Sequence, residues 1–406
     1  MEIPMINRVL CSLLLGICAL GYPKAFAQDE NESETKEIVV AAERMSEYLP
    51  LLEGKRVGLV INQTSVVNGV LLPDTLLSRG VMVKKIYSPE HGFRGEAEAG
   101  DLVENDKDKK TGLPIVSLYG KNKKPTDADL KHIDIMIYDI QDVGVRFYTY
   151  ISTLQYVMEA CVENDIPLLI LDRPNPNGHY VDGPVLDTSL RSFVGMQPIP
   201  IVYGMTPAEY AKMLIGEQWF KGAGKLDLKI VECLQYDHRS LYRLPVNPSP
   251  NLRNMIAIYC YPTVCLFEGT VVSVGRGTDK PFQQWGHPEF SGKTGFSFKP
   301  VPYWGQKTKP PFAYQECFGQ LVAMTENEAL TMNNRIRLFW LQRAYKWHPN
   351  KDKFFISYFE SLAGTRELRK QIEKGLTEGE IWASWDNDLK KFKQVRKKYL
   401  LYKDFE

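Results

Sequence analysis

"DIMIYDIQDVGVRFYTYISTLQYVMEACVENDIPLLILD", residues 134–172, carries the pattern on which the fold turns. Its two ends, "DIMIYDI" and "PLLILD", are short runs of almost unbroken apolar residues. The middle, "YTYISTLQYVMEACVEND", has the length and spacing of a helix. Apolar runs without alternation suit strands covered on both faces, and strand–helix–strand is the crossover unit of a parallel sheet. Upstream the rhythm repeats. "RVGLVI" (56–61), "VMVKKIY" (81–87) and "PIVSLY" (114–119) read as strands. "LLPDTLLSRG" reads as a helix closing on Gly80, and "TDADLKHI" as a short helix capped by Thr126.

Downstream of "DRPNPNGHYVDGP" the pattern loosens. "IPIVYG" gives a strand, and "TPAEYAKMLIGEQWF" a helix started by Thr206 and Pro207. "LDLKIVEC" gives a further strand. Beyond about residue 255 come Gly/Pro-rich loops, short strands and late helices such as "TRELRKQIEKGL". The class is α/β, a mainly parallel sheet domain over 46–190 followed by a smaller α+β domain over 191–406.

Residues 1–27 are a leader rather than fold. Arg8, the apolar "VLCSLLLGICALGY" and an Ala-x-Ala exit at Ala27 describe a secretory signal peptide, and 28–45 is a polar leader. The expectation is an exported, periplasmic protein without stable membrane insertion. Five cysteines remain after the leader, with apolar neighbours that point to buried thiols; a single bridge, Cys260 with Cys265, is permitted by export but not demanded. The 50 basic and 49 acidic residues nearly cancel, which argues against nucleic acid as a partner.

In open parallel sheets ligands bind beyond the carboxyl ends of the strands. Four of those ends are polar here: "NQTS" (Asn62, Gln63, Thr64), "SPEHGFRG" (Glu90, His91, Arg94), "QDVGVRFYTY" (Asp142, Arg146, Tyr148) and "DRPNPNG" (Asp172, Arg173, Asn175). No Gly-x-Gly-x-x-Gly follows the first strand, no Gly-x-Ser-x-Gly elbow exists, and the six His lack zinc spacing. No cofactor or metal is expected.

Carboxylates remain, and paired carboxylates suit glycoside hydrolysis. Glu90, between Pro89 and the flexible Gly92, is the acid candidate; its bland role is a salt bridge to Arg94. His91, Asp142 and Glu268 are candidates for a second or stabilising group, and Asp142 reads equally as a helix cap. Arg94, Arg146, Arg173 and Arg276 are candidates to clamp an anion in bidentate fashion. Asp172 with Arg173 reads first as an ion pair shaping its loop. Tyr148, Tyr150 and Trp285 offer rings for a sugar face, with core packing the plainer reading of any single one.

Taken in order, "NQTS", "SPEHGFRG", "DIQDVGVRFYTY", "DRPNPNG" with "DGPVLD", "PSPNLRN", "FEGT" and "GRGTDKPF" resemble the exo-β-N-acetylmuramidase family of peptidoglycan glycoside hydrolases, formerly a domain of unknown function. The resemblance spans about residues 45–405. It implies a Rossmann-like N-terminal domain, a C-terminal auxiliary domain and a cleft at their junction. It also implies release of N-acetylmuramic acid from the non-reducing end of peptidoglycan-derived disaccharides or oligosaccharides, with Glu90 as the catalytic Glu. The lactyl carboxylate of that sugar would give the arginines a purpose. The alternative is an exported, non-catalytic sugar or muropeptide-binding protein.

Overall fold

The computed structural model describes residues 37–89, 93, 106–302 and 308–406. Seven strands make the main sheet: β1 (Arg56–Ile61), β2 (Met82–Ser88), β3 (Asp106–Lys107), β4 (Pro114–Ser117), β5 (Ile135–Asp139), β6 (Leu168–Leu171) and β7 (Leu228–Val231). Their spatial order is β3-β4-β2-β1-β5-β6-β7. The central β1 is parallel to both neighbours, with Leu59 beside Ile86 on one side and Ile137 on the other. The short edge strand β3 pairs antiparallel with β4. The chain builds outward from β1 in one direction and then restarts at β5 in the other. That reversal opens a crevice at the carboxyl ends of the strands.

Alternate residues serve opposite faces, as the pleat demands. Leu59, Ile137 and Leu169 enter one core with Leu72 and Leu76 of α1 (Leu72–Ser78). Val60, Met136 and Ile170 enter the other, which also takes Leu130 of α2 (Asp127–Leu130), Leu154 and Val157 of α3 (Tyr150–Glu163), and Leu214 of α4 (Pro207–Gly216). Each fully buried aliphatic side chain stabilises the fold by about 1.5–3 kcal/mol, so strands with two covered faces are apolar throughout. Thr126 and Thr206 both close capping boxes, with Asp129 and Glu209. The expected strand "IPIVYG" does not form: Val202 makes only isolated bridges with Val145 and Asp182. Pro198 and Pro200 have no N–H to give a ladder there.

Beyond β7 come α5 (Met255–Val264), then an antiparallel sheet of β8 (Gln284–His287), β9 (Ser297–Phe298) and β10 (Cys317–Leu321), with β10 in the middle. Then follow α6 (Phe339–Trp347), α7 (Tyr358–Ala363) and α8 (Glu378–Arg396). The α3-side core continues without a break through Phe267, Trp285, Phe290 and Trp385. Trp285 is fully buried and stacked on Phe267, so it is a core residue and not a sugar platform. After α8 the chain returns to the main sheet. Tyr402 Oη donates to Asp172 Oδ2 at 2.6 Å, and the Leu401 amide to Glu209 Oε1 at 2.8 Å.

All five described cysteines are buried, free thiols, so the Cys260–Cys265 bridge is not made; burial pushes the Cys260 thiol up to about 12. Among the described residues no helix is long and apolar enough to cross a membrane. The signal peptide expected at 1–27 lies outside the described residues.

Candidate active site

The loops that leave the carboxyl rim are stitched to one another by their own polar residues. Asn62 Oδ1 accepts from the Thr64 amide at 2.9 Å and from Thr64 Oγ1 at 2.6 Å. Thr64 Oγ1 in turn accepts the Gln141 amide at 3.0 Å, tying the loop after β1 to the loop after β5. Gln63 Nε2 donates to the carbonyls of Asn247 and Pro248, both at 3.1 Å, and fastens the "PSPNLRN" segment across the rim.

Several expected binding groups sit beneath this surface. Arg173 does not pair with Asp172. It grips Asp139 in bidentate fashion, Nε to Oδ1 at 2.5 Å and Nη2 to Oδ2 at 2.9 Å, with both side chains buried. Asp172 accepts from the Ala208 amide at 3.0 Å as well as from Tyr402, and burial pushes its carboxyl up to about 7. Asp142 does not cap α3, whose N-cap is Thr149. It accepts from the Gly144 amide at 2.6 Å and from the Tyr203 hydroxyl, and burial pushes it up to about 6. Gly144 has a φ of +73°, and a Cβ there would stand 2.1 Å from Asn175 Oδ1, so only glycine fits this crossing. Asn175 is itself held by the Met205 carbonyl at 2.9 Å. Arg146 donates to the carbonyls of Pro184 at 2.8 Å, Ile199 at 2.7 Å and Leu362 at 3.0 Å. Burial without a carboxylate brings its guanidinium down to about 9.

Above this layer lies a cleft of about 600 Å³. Tyr148, Glu268 and Arg276 line it, as do Tyr150 and Tyr261. Tyr148 Oη donates to the Pro248 carbonyl at 2.7 Å, and its ring meets that of Tyr261 edge-on at 6.0 Å. Glu268 comes from the 3₁₀ turn Cys265–Gly269 that follows α5. Its Oε1 accepts from Arg276 Nε at 2.7 Å, and the guanidinium lies 5.0 Å from the centre of the Phe282 ring. Burial disfavours the Arg276 charge, but Glu268 more than offsets this and raises its pKa above the ordinary value.

The structure thus gathers Tyr148, Glu268 and Arg276 at the cleft, while Asn62, Gln63, Thr64, Asp142, Arg146, Asp172, Arg173 and Asn175 are not among its lining residues. Glu90, His91 and Arg94 lie outside the described residues. Sequence reasoning missed Tyr119, Lys123, Phe193, Tyr261 and Tyr358, all of which line the cleft. Tyr119 lies two residues beyond β4, so the strand-end rule applied to that strand points to it. Among the described residues no group of three His, Cys, Asp or Glu side chains is placed to hold a metal.

Comparison with known proteins matches residues 57–256 to the family model exo-β-N-acetylmuramidase NamZ, N-terminal, and residues 259–402 to its C-terminal counterpart. The peptidoglycan β-N-acetylmuramidase NamZ of Bacillus subtilis is 37% identical over 375 residues, covering 88% of this chain and 89% of that protein. A crystal structure of a DUF1343 family protein from Bacteroides fragilis has a TM-score of 0.84 at 46% identity, covering 91% of this chain and 100% of its own. A second from the same organism has a TM-score of 0.76 at 30% identity, covering 90% of this chain and 99% of its own.

Proposed function

Because this chain belongs to the exo-β-N-acetylmuramidase NamZ family, we propose that it is an exo-acting glycoside hydrolase releasing N-acetylmuramic acid from the non-reducing end of peptidoglycan fragments. The observation that carries this reading is the rim cleft of about 600 Å³, sized for sugar rings and walled by tyrosines and a Glu–Arg pair. Strand β2 ends at Ser88, whose carbonyl accepts the Leu118 amide at 2.8 Å, and the next two residues after Leu118, Tyr119 and Gly120, line the cleft. The carboxyl end of β2 therefore lies next to the segment that leads into the cleft wall.

In this mechanism Glu90 gives its proton to the glycosidic oxygen as the bond to the anomeric carbon breaks, and then takes a proton from the attacking water. Glu268, held in place by Arg276, supports the positive charge that develops on the sugar ring. The lactyl carboxylate calls for a cation in the wall, and the two described cations there are Lys123 and Arg276. The same reading puts the enzyme in the periplasm, delivered by the segment 1–27, where wall fragments occur.

The test is incubation with N-acetylmuramyl-(β1,4)-N-acetylglucosamine and identification of the products by mass. Free N-acetylmuramic acid and N-acetylglucosamine are expected, and Glu90→Gln should lower the rate by at least about 100-fold. Saturable binding without any products would leave a sugar-binding protein instead. Full activity in Glu90→Gln would remove that residue from the mechanism.

A further inference from the structure

Three described side chains in the cleft wall are charged: Lys123, Glu268 and Arg276. The last two neutralise each other at 2.7 Å, so the pair contributes a dipole and little net charge. A free carboxylate brought to Arg276 would also meet Glu268. Lys123 is in a different position. Its neighbour Lys124 is bound to Glu159 at 3.6 Å and Glu163 at 2.7 Å, whereas no described carboxylate pairs with Lys123. Its ammonium instead lies 4.4 Å from the centre of the Phe193 ring, and that ring stacks on Tyr156 with an interplanar angle of 11°. A cation over an aromatic face is oriented but keeps its donors for an anion. The net positive charge of the described wall is therefore that of Lys123.

We propose that Lys123, seated on Phe193, is the specificity-determining residue that recognises the lactyl carboxylate of the bound sugar, while Arg276 serves to hold Glu268. This rests on the muramidase reading and names which cation selects the substrate. The test is titration of the full chain, as wild type, Lys123→Met, Lys123→Arg and Arg276→Met, with N-acetylmuramic acid and with N-acetylglucosamine, which has the same ring without the lactyl group. Methionine keeps a flexible chain over Phe193, so the wall is preserved. Wild type should prefer the muramic sugar by about tenfold, the gain expected of one charge-assisted contact. Lys123→Met should lose that preference while binding N-acetylglucosamine as before; Lys123→Arg should restore most of it. Arg276→Met should keep it. A preference retained in Lys123→Met, lost in Arg276→Met alone, or missing from the wild type would each overturn the proposal. A wild type that shows the preference but yields no products from the disaccharide would overturn the hydrolase reading and leave this one standing.

Discussion

Two arginine–carboxylate pairs in this protein share one chemistry and differ in surroundings. Arg173 and Asp139 are 1% and 0% exposed beneath the rim, joined by two hydrogen bonds, with Arg173 also donating to the Val66 carbonyl at 3.2 Å. Arg276 and Glu268 are 22% and 23% exposed in the cleft wall, joined by a single bond at 2.7 Å. The first pair has its hydrogen-bonding directions filled by protein and holds loops in register. The second leaves part of each group facing open space, where a ligand can complete it. Burial, not residue type, separates scaffold from site.

Asp139→Ala should produce the largest effect, because it strands a buried guanidinium. A loss of about 3–5 kcal/mol in denaturant unfolding is expected, and a loss below 1 kcal/mol would break the contrast. Next in size is a pH effect. Burial raises the Asp172 carboxyl from 3.8 to about 7, so folding favours its protonated form. Its contribution is fully present below about pH 4 and is lost as pH rises through about 7, a change of order 4 kcal/mol. Unfolding free energies measured from pH 4 to 8 should fall less steeply in Asp172→Asn than in wild type. An unchanged slope would mean that the carboxyl is ionised at no cost.

Arg146→Met should cost about 3 kcal/mol, since three buried carbonyls lose their donor while a desolvated charge is removed. Arg276→Met closes the series. Its melting temperature should stay near that of wild type, a change of about 1 kcal/mol or less, while turnover of the disaccharide falls at least about tenfold through loss of Glu268 alignment. Large destabilisation in Arg276→Met would place both pairs in the scaffold and erase the distinction.

The sheet was legible because its signals are local. Runs such as "RVGLVI" and "LLIL" are apolar at every position, and the threonine caps at 126 and 206 lie within three residues of their partners. "IPIVYG" looks like a strand from its β-branched residues, but Pro200 within it and Pro198 just before it remove ladder donors. The site was legible only in part. Glu268 and Arg276 stood out on glycine-bounded turns, and Tyr148 by its position at a strand end. What distinguishes Arg173 from Arg276 is the partner that each finds. Arg146 finds its acceptors at residues 184, 199 and 362, in segments that no short window can connect. Lys123 was hidden for the opposite reason, because a run of lysines after β4 looks like ordinary solvated surface and only the fold shows which member turns to the cleft.

The bond between Tyr402 and Asp172 joins groups 230 residues apart. Until the segment around Tyr402 docks, the carboxyl at the end of β6 lacks the Tyr402 hydroxyl, and Glu209 lacks the amide of Leu401. Closure of such a distant contact is slow compared with helix formation. In refolding, recovery of sheet and helix signal should therefore precede recovery of a functional rim, with a lag set by the return of the last segment.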